Sequence, residues 1–233
     1  MPAPLRIPFL VRCLVTGDWA CFTRPEMKVE RVTYDCMTPS GARGILEAIY
    51  WKPEIVWRID RIHVLKPIRF INIRRNEVAS VISSQTADAA RRSGSGSLSI
   101  LVEDDRQQRA SILLRDVAYV IEAHFDLVAS PPDRDRMDEL AKHHGIAKRR
   151  MSAGQCFYQP YLGTREFPTD FRWIETHEEI PSSELPQDQR NQELGYMLYD
   201  IDHGSVRTPR FFKASLKDGV LEVPPHHSKE FAS

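Results

Sequence analysis

Thr38-Pro-Ser-Gly-Ala-Arg-Gly-Ile-Leu-Glu-Ala-Ile-Tyr-Trp-Lys-Pro53 reads as a helix with both ends marked. Thr38 suits the N-cap, and Pro39 suits the first helical position, where a missing N–H costs nothing. Ile45, Leu46 and Ile49 fall on one face, and Pro53 forbids continuation. The helix closes on an aromatic and basic cluster, Tyr50-Trp51-Lys52, just before a strand. A phenol and a cation at a helix end suit contact with phosphates and bases. Taken alone, the same stretch reads more readily as an amphipathic helix with a rim tyrosine.

Working outward, Arg6 to Phe22 alternates as a strand, or as two broken at Gly17-Asp18. Ile55 to Leu65 is a second strand, stopped by Lys66-Pro67, and Phe70 to Arg74 a short third. A modest second helix is expected over Val78 to Ala90, a flexible basic loop over Arg91 to Ser97, and a long strand over Gln108 to Val128. Strand, helix, strand, strand, helix, strand is the split βαβ order used by ferredoxin-like and RRM-type RNA-recognition domains.

Pro131-Pro132 breaks the chain at a candidate boundary, giving a domain over 1–130 and a smaller one over 131–233. The second opens with a charged helix from Asp133 to Met151. Beyond Cys156, short aromatic and β-branched runs (Phe157-Tyr158, Phe171–Ile174, Tyr196–Ile201, Phe211–Ser215, Val220–Val223) predict a small antiparallel sheet. Lys217-Asp218-Gly219 supplies a hairpin turn, Pro181 to Arg190 a polar loop, and the tail from Pro224 is expected to fray. The fold class expected is therefore α+β: a ferredoxin-like domain with an antiparallel β-rich C-terminal extension.

The 233 residues carry no net formal charge, so no global field draws in nucleic acid, and any such role must rest on local patches. No apolar run approaches the roughly 20 residues that span a bilayer, and Met1 to Leu10 is too short in apolar length for a signal peptide. No membrane contact and cytoplasmic residence are the expectations. Cys13, Cys21, Cys36 and Cys156 show no paired spacing. P-loop, dinucleotide, metalloprotease and nucleophile-elbow motifs are absent from the sequence. His143-His144 and His226-His227 are poor metal pairs, because adjacent side chains diverge. No metal and no cofactor are expected.

A second cluster, Lys142-His143-His144 followed by Lys148-Arg149-Arg150, is the most basic stretch of the chain. It reads either as a solvated helix end, with cations at the C-terminal dipole, or as a phosphate site with a titratable group inside it. Lys142 disfavours the His143 imidazolium, which suits His143 to proton transfer near neutrality.

Several runs in order resemble one family. They are Thr16-Gly-Asp-Trp-Ala-Cys-Phe-Thr23, Gly41 to Pro53 with Ile55-Val56, Val64-Leu-Lys-Pro-Ile68, Asp116-Val117 with Ala123-His-Phe125, Lys142-His143, and Tyr161-Leu-Gly-Thr-Arg-Glu-Phe167. Across about three quarters of the chain they resemble the CRISPR-associated Cas-five family in its type I-C (Dvulg) form. The resemblance implies an RRM-like fold of the RAMP type and metal-independent cleavage of precursor CRISPR RNA beside the repeat hairpin. It further implies a catalytic group at Tyr50, Lys142 and His143. The implied partners are the repeat hairpin and the backbone and large subunits of a surveillance complex, with DNA contact inside that complex.

The family's glycine-rich stretch after the Lys-His helix reads Ala147 to Gly154 here, with its basic residues kept and its glycines reduced. Its usual Cys is Thr164. On this reading His143 is a general acid or base, Lys142 stabilises the phosphorane, and Tyr50 orients or deprotonates the 2′-hydroxyl, as a true base only with Lys142 close by. Arg43, Trp51, Lys52, Lys148, Arg149 and Arg150 are the expected RNA contacts. The rivals are a non-catalytic subunit that holds the 5′ handle of the guide RNA and a metal-dependent DNA nuclease.

Overall fold

Val11, Cys13 and Val15 are wholly buried along the first strand while Arg12 turns to the other side, as the two-residue period of a strand requires. The computed structural model describes residues 9–27, 29–96, 98–128, 135–202 and 207–232. In chain order the elements are β1 (Val11–Ala20), β2 (Arg31–Val32), α1 (Pro39–Ile49), β3 (Ile55–Val64), β4 (Phe70–Val78), α2 (Ser84–Ser93) and β5 (Arg106–Leu127). They continue as α3 (Arg136–Ser152), β6 (Asp170–Trp173), α4 (Gln187–Arg190), β7 (Gln192–Asp202), β8 (Thr208–Lys217) and β9 (Val220–Glu222).

The strands form one sheet in the order β6-β1-β5-β3-β9-β8-β7, with β2 and β4 pairing to β5 off that line. Every pairing is antiparallel except β2 with β5. The architecture is a mixed α/β fold with a large antiparallel sheet and few helices. In β5, 22 residues long, Val117 to Ala123 are buried in turn on both faces, because β1 and β3 flank them and side chains cover each side. Its first part pairs mainly with β4 and is largely exposed, forming an arm. Asp116, at φ +50°, marks the junction, its carboxylate accepting from Lys66 Nζ at 3.0 Å.

Two helices cover one face of the sheet. In α1, the Thr38 hydroxyl accepts from the Gly41 N–H at 3.2 Å, and Ala42, Ile45, Leu46 and Ile49 are buried. Each large aliphatic side chain removed from water there contributes about 1.5–3 kcal/mol. In α3, Asp135 caps the start by accepting from the N–H groups of Met137 and Asp138. Its buried residues are Glu139, His143, Ala147 and Met151, a stripe repeating every four positions. The first half of that stripe is polar and the second apolar. Ala147 and Met151 join the core cluster that holds the α1 face.

Several expectations shift. The helix expected over 78–90 runs Ser84–Ser93 and buries no residue, so it does not cover the sheet; α3 takes that position. The sheet also runs across the division expected at 130/131: β6 pairs with β1, and β9 pairs with β3. Pro131-Pro132 lies outside the described residues. Phe157-Tyr158 stays outside the sheet, while the turn at Asp218-Gly219, with φ of +52° and +78°, links β8 to β9. The tail, expected to fray, returns to bridge Ala232 with Phe211, and Phe231 packs 4.5 Å from the Tyr199 ring.

One glycine is required by space. Gly163 sits at φ +88°, and a methyl group there would overlap the backbone carbonyl of Cys21. It lets the 161–167 segment close on the end of β1, where Cys21 N–H donates to Leu162 O at 3.0 Å. No helix among the described residues is long and apolar enough to cross a membrane.

Candidate active site

Tyr50 is the C-cap of α1, held extended at φ −148° because Pro53 blocks further helix. Its N–H still donates to Leu46 O at 2.8 Å, and its carbonyl accepts from the Trp57 indole at 2.8 Å. The backbone that carries the ring is thus held at both its N–H and its carbonyl. Its phenol oxygen lies 2.7 Å from Nδ1 of His143, which projects from the buried stripe of α3. Tyr50 is 1% exposed and His143 3% exposed. Phe125 from β5 closes a third side, its ring centroid 6.1 Å from that of the imidazole and the two rings steeply inclined.

Arg150, two turns further along α3, donates to the Ile49 carbonyl at 2.9 Å and lays its guanidinium 5.6 Å from the Tyr50 ring centroid. Burial pushes the phenol pKa up, and the Arg150 cation pulls against it. Burial, with Lys142 alongside, holds the His143 imidazole below its ordinary value. Lys142 donates to Glu139 Oε2 at 2.9 Å. The same carboxylate oxygen is 3.8 Å from His143 Nε2, a buried nitrogen with no hydrogen bond.

The structure therefore brings Tyr50 and His143 into contact and sets Lys142 one residue away, paired with a carboxylate. The cation against Tyr50 is Arg150, not the Lys142 that a phenolate base calls for in the sequence reading. Of the residues expected on RNA phosphates, three are committed within the protein. Arg43 bridges Glu47 at 2.7 Å and Asp200 at 2.8 Å, Lys148 pairs with Glu175 at 2.7 Å, and Arg150 holds α1. Lys52 and Arg149 are exposed and form no ion pair among the described residues, and Trp51, next to Lys52 in the chain, is 56% exposed.

Glu139 escaped the sequence reading, although it sits one helical turn before His143 on the same face. Glu54, whose Oε2 is buried without a hydrogen bond, also acts on this pair, its charge opposing that of Lys52 at the imidazole. His144 points elsewhere, to the Leu10 carbonyl at 3.4 Å and the Trp173 ring, so the adjacent histidines diverge. Among the described residues, no three His, Cys, Asp or Glu side chains are grouped to hold a metal ion. Chemically, the pair can pass a proton between phenol and imidazole, with an arginine beside the phenol and a carboxylate beside the imidazole.

Comparison with known proteins decides the family. The model of the CRISPR-associated protein (Cas_Cas5), in its Cas5d form, matches residues 10–224. The chain belongs to the Cas5d family. A relative from Mannheimia succiniciproducens, named CRISPR pre-crRNA endoribonuclease Cas5d, is 52% identical over 222 residues, covering 94% of this chain and 97% of its own. A Cas5d of the same name from Thermus thermophilus is 40% identical over 235 residues, covering 93% and 92%. The fold of this Cas5d family member is similar to a crystal structure described as a CRISPR-associated protein, with a TM-score of 0.65, 23% identity and 96% of each chain covered. It is also similar to a functionally uncharacterized protein from Streptococcus mutans, with a TM-score of 0.62 and 21% identity.

Proposed function

We propose that this chain is an endoribonuclease that cuts precursor CRISPR RNA beside the repeat hairpin without a metal ion and stays on its product as a subunit of a type I-C surveillance complex. The observation that carries this is the 2.7 Å contact between Tyr50 Oη and His143 Nδ1, with Lys142 beside it. The names of the curated relatives support the same activity. The order β6-β1-β5-β3, with α1 and α3 as the connecting helices on one face, supports a ferredoxin-like, RAMP-type core. Cytoplasmic residence, the repeat hairpin and further complex subunits as partners, and DNA contact within the complex accompany this reading.

In the proposed reaction the 2′ oxygen bonds to the adjacent phosphorus as its proton passes to Tyr50 and on to His143. The bond from phosphorus to the 5′ oxygen then breaks, that oxygen takes a proton from water, and the proton held by His143 returns to solvent. The products are a 2′,3′-cyclic phosphate and a 5′-hydroxyl. Lys142 meets the charge that grows on the phosphorane, where positioning and electrostatics supply most of the effect. Lys52 and Arg149, with Trp51 for stacking, lie free to take backbone and base. Tyr50 and His143 are covered in the RNA-free protein, so RNA binding has to uncover them.

That same burial favours a second reading, in which the pair is only an internal link between α1 and α3 and the chain binds guide RNA without cutting it. Cleavage of a repeat RNA in EDTA separates the two. The nuclease reading expects a cut that disappears with His143→Ala and with a 2′-deoxy nucleotide at the mapped scissile position. A cut at the parent rate in His143→Ala, or one that needs magnesium and survives the deoxy substitution, overturns it.

A further inference from the structure

One oxygen serves two groups. Glu139 Oε2 accepts from Lys142 Nζ at 2.9 Å and faces His143 Nε2 at 3.8 Å. Glu139 is itself buried, while the Lys142 side chain is about half exposed. We propose that Glu139 is a positioning residue for the Tyr50–His143 pair, and that RNA phosphate triggers it by drawing Lys142 off the shared carboxylate. This rests on the nuclease reading for its consequence, though not for its test.

The tautomer follows from hydrogen-bond chemistry. A carboxylate can only accept, and a neutral imidazole carries one N–H. A bare Nε2 lone pair facing Glu139 repels it, so the proton sits on Nε2 and Nδ1 is left to accept from the Tyr50 phenol. Tyr50 is then the donor, aligned to lose its proton to His143. The imidazolium formed faces Glu139, and the phenolate faces Arg150. This matches the logic by which a buried carboxylate orients a catalytic histidine and stabilises its charged form.

While Lys142 sits on Oε2, its cation cancels much of what Glu139 offers the imidazole. An ion pair with a half-exposed lysine is held weakly. A phosphate arriving at the surface competes for the ammonium. Once Lys142 turns outward, the carboxylate is 3.8 Å from a donor that has no other hydrogen bond, and a small side-chain movement closes the gap. Phosphate capture and proton transfer are thereby coupled through one side chain.

Among the described residues, other groups also act on His143. Tyr50, Lys52 and Glu54 come from the end of α1 and the turn after it, Lys142 and Glu139 from α3 itself, and Phe125 from β5. Lys52 and Glu54 act in opposite senses on the imidazole, as do Lys142 and Glu139, so drawing Lys142 away from Glu139 shifts the balance.

The test is a nitrogen-15 histidine NMR titration of the whole chain, parent against Glu139→Gln, with and without a fully 2′-O-methylated repeat RNA that cannot be cut. In the free parent the Nε2–H tautomer of His143 is expected. On adding RNA, the acid dissociation constant of His143 falls about tenfold more in the parent than in E139Q, whose amide carries no charge. On cleavable RNA, E139Q lowers kcat by roughly ten- to a hundredfold at unchanged KM. An Nδ1–H tautomer in the parent, or an equal RNA response in both proteins, overturns the proposal. If the parent leaves RNA uncut while the response still depends on Glu139, the nuclease reading fails and the coupling stands.

Discussion

Tyr50 and His143 stand 93 positions apart in sequence and share a hydrogen bond 2.7 Å long inside the core. It joins the last cap of α1 to the polar half of the α3 stripe. Everything around it is placed by other needs: the Tyr50 backbone by helix termination, the Trp57 indole by its carbonyl, and the Phe125 ring by β5.

Tyr50→Phe separates structure from chemistry at this contact. The ring and its packing remain, and one hydroxyl is lost, leaving Nδ1 without its partner. The expected loss of unfolding free energy is about 1–2 kcal/mol, the usual cost of breaking a buried hydrogen bond. Single-turnover cleavage of repeat RNA is expected to drop by about a hundredfold or more. Urea melts and cleavage rates on one preparation check both. Near-parent cleavage at reduced stability would show that the bond is a structural link only.

The end of α1 was legible because its signals are local. An N-cap, a proline, an apolar face and a second proline all act within sixteen residues, and each has a direct steric or hydrogen-bond cause. The burial of His143 was not legible. Asp-Arg-Asp-Arg-Met-Asp-Glu-Leu-Ala-Lys-His-His looks like a solvated helix, and only the sheet beneath it shows that Glu139 and His143 face inward. Strand partners were hidden for a similar reason: hydrogen bonding of β6 to β1 and β9 to β3 joins segments more than 150 residues apart, and composition carries no record of register. The pairing of Tyr50 with Lys142-His143 came from family resemblance, not from spacing.

The cations divide into two classes, and salt dependence reads the difference. Arg149→Gln removes an exposed charge with no protein partner among the described residues, so the slope of log affinity for repeat RNA against log salt should flatten by about 0.7–1. Arg43→Gln removes a guanidinium already shared by Glu47 and Asp200, so its slope should stay at the parent value while stability falls. Equal flattening by the two variants would place Arg43 on RNA after all. Filter binding at four or five salt concentrations is sufficient.

Arg150 belongs with the protein-bound class, and its signature is in pH. Arg150→Met keeps the length of the stem but loses the hydrogen bond to Ile49 O and the cation near the Tyr50 ring. Burial already raises the phenol pKa, and Arg150 is the charge that lowers it. Without it the phenol should titrate higher, moving the alkaline limb of the kcat–pH profile upward, while RNA affinity and its salt slope hold. An unchanged limb with a weakened salt slope would return Arg150 to the phosphate contacts.

On the opposite face of the sheet, Glu122 predicts an acid-side instability. It is almost wholly buried, with Arg12 Nε at 2.8 Å and His63 Nε2 at 3.4 Å from its carboxylate oxygens. Burial alone raises a carboxyl pKa, but His63 and Arg12 outweigh it and hold this one below the ordinary range. A folded-state pKa below the unfolded value, which is about 4.3 for Glu, means that the unfolded chain binds the proton first. The stabilisation is therefore complete above that value and fades as pH falls through the folded one. In Glu122→Gln the charge is gone at every pH, and Arg12, Arg61 and His63 lose their shared anion, a loss of about 3–5 kcal/mol at neutral pH. The stability gap between parent and E122Q should narrow as pH drops from about 5 toward 3, because protonation brings the parent to the same state. Urea midpoints at pH 6, 5, 4 and 3 measure the gap directly. A gap that stays constant across that range would mean that Glu122 matters for its shape and not for its charge.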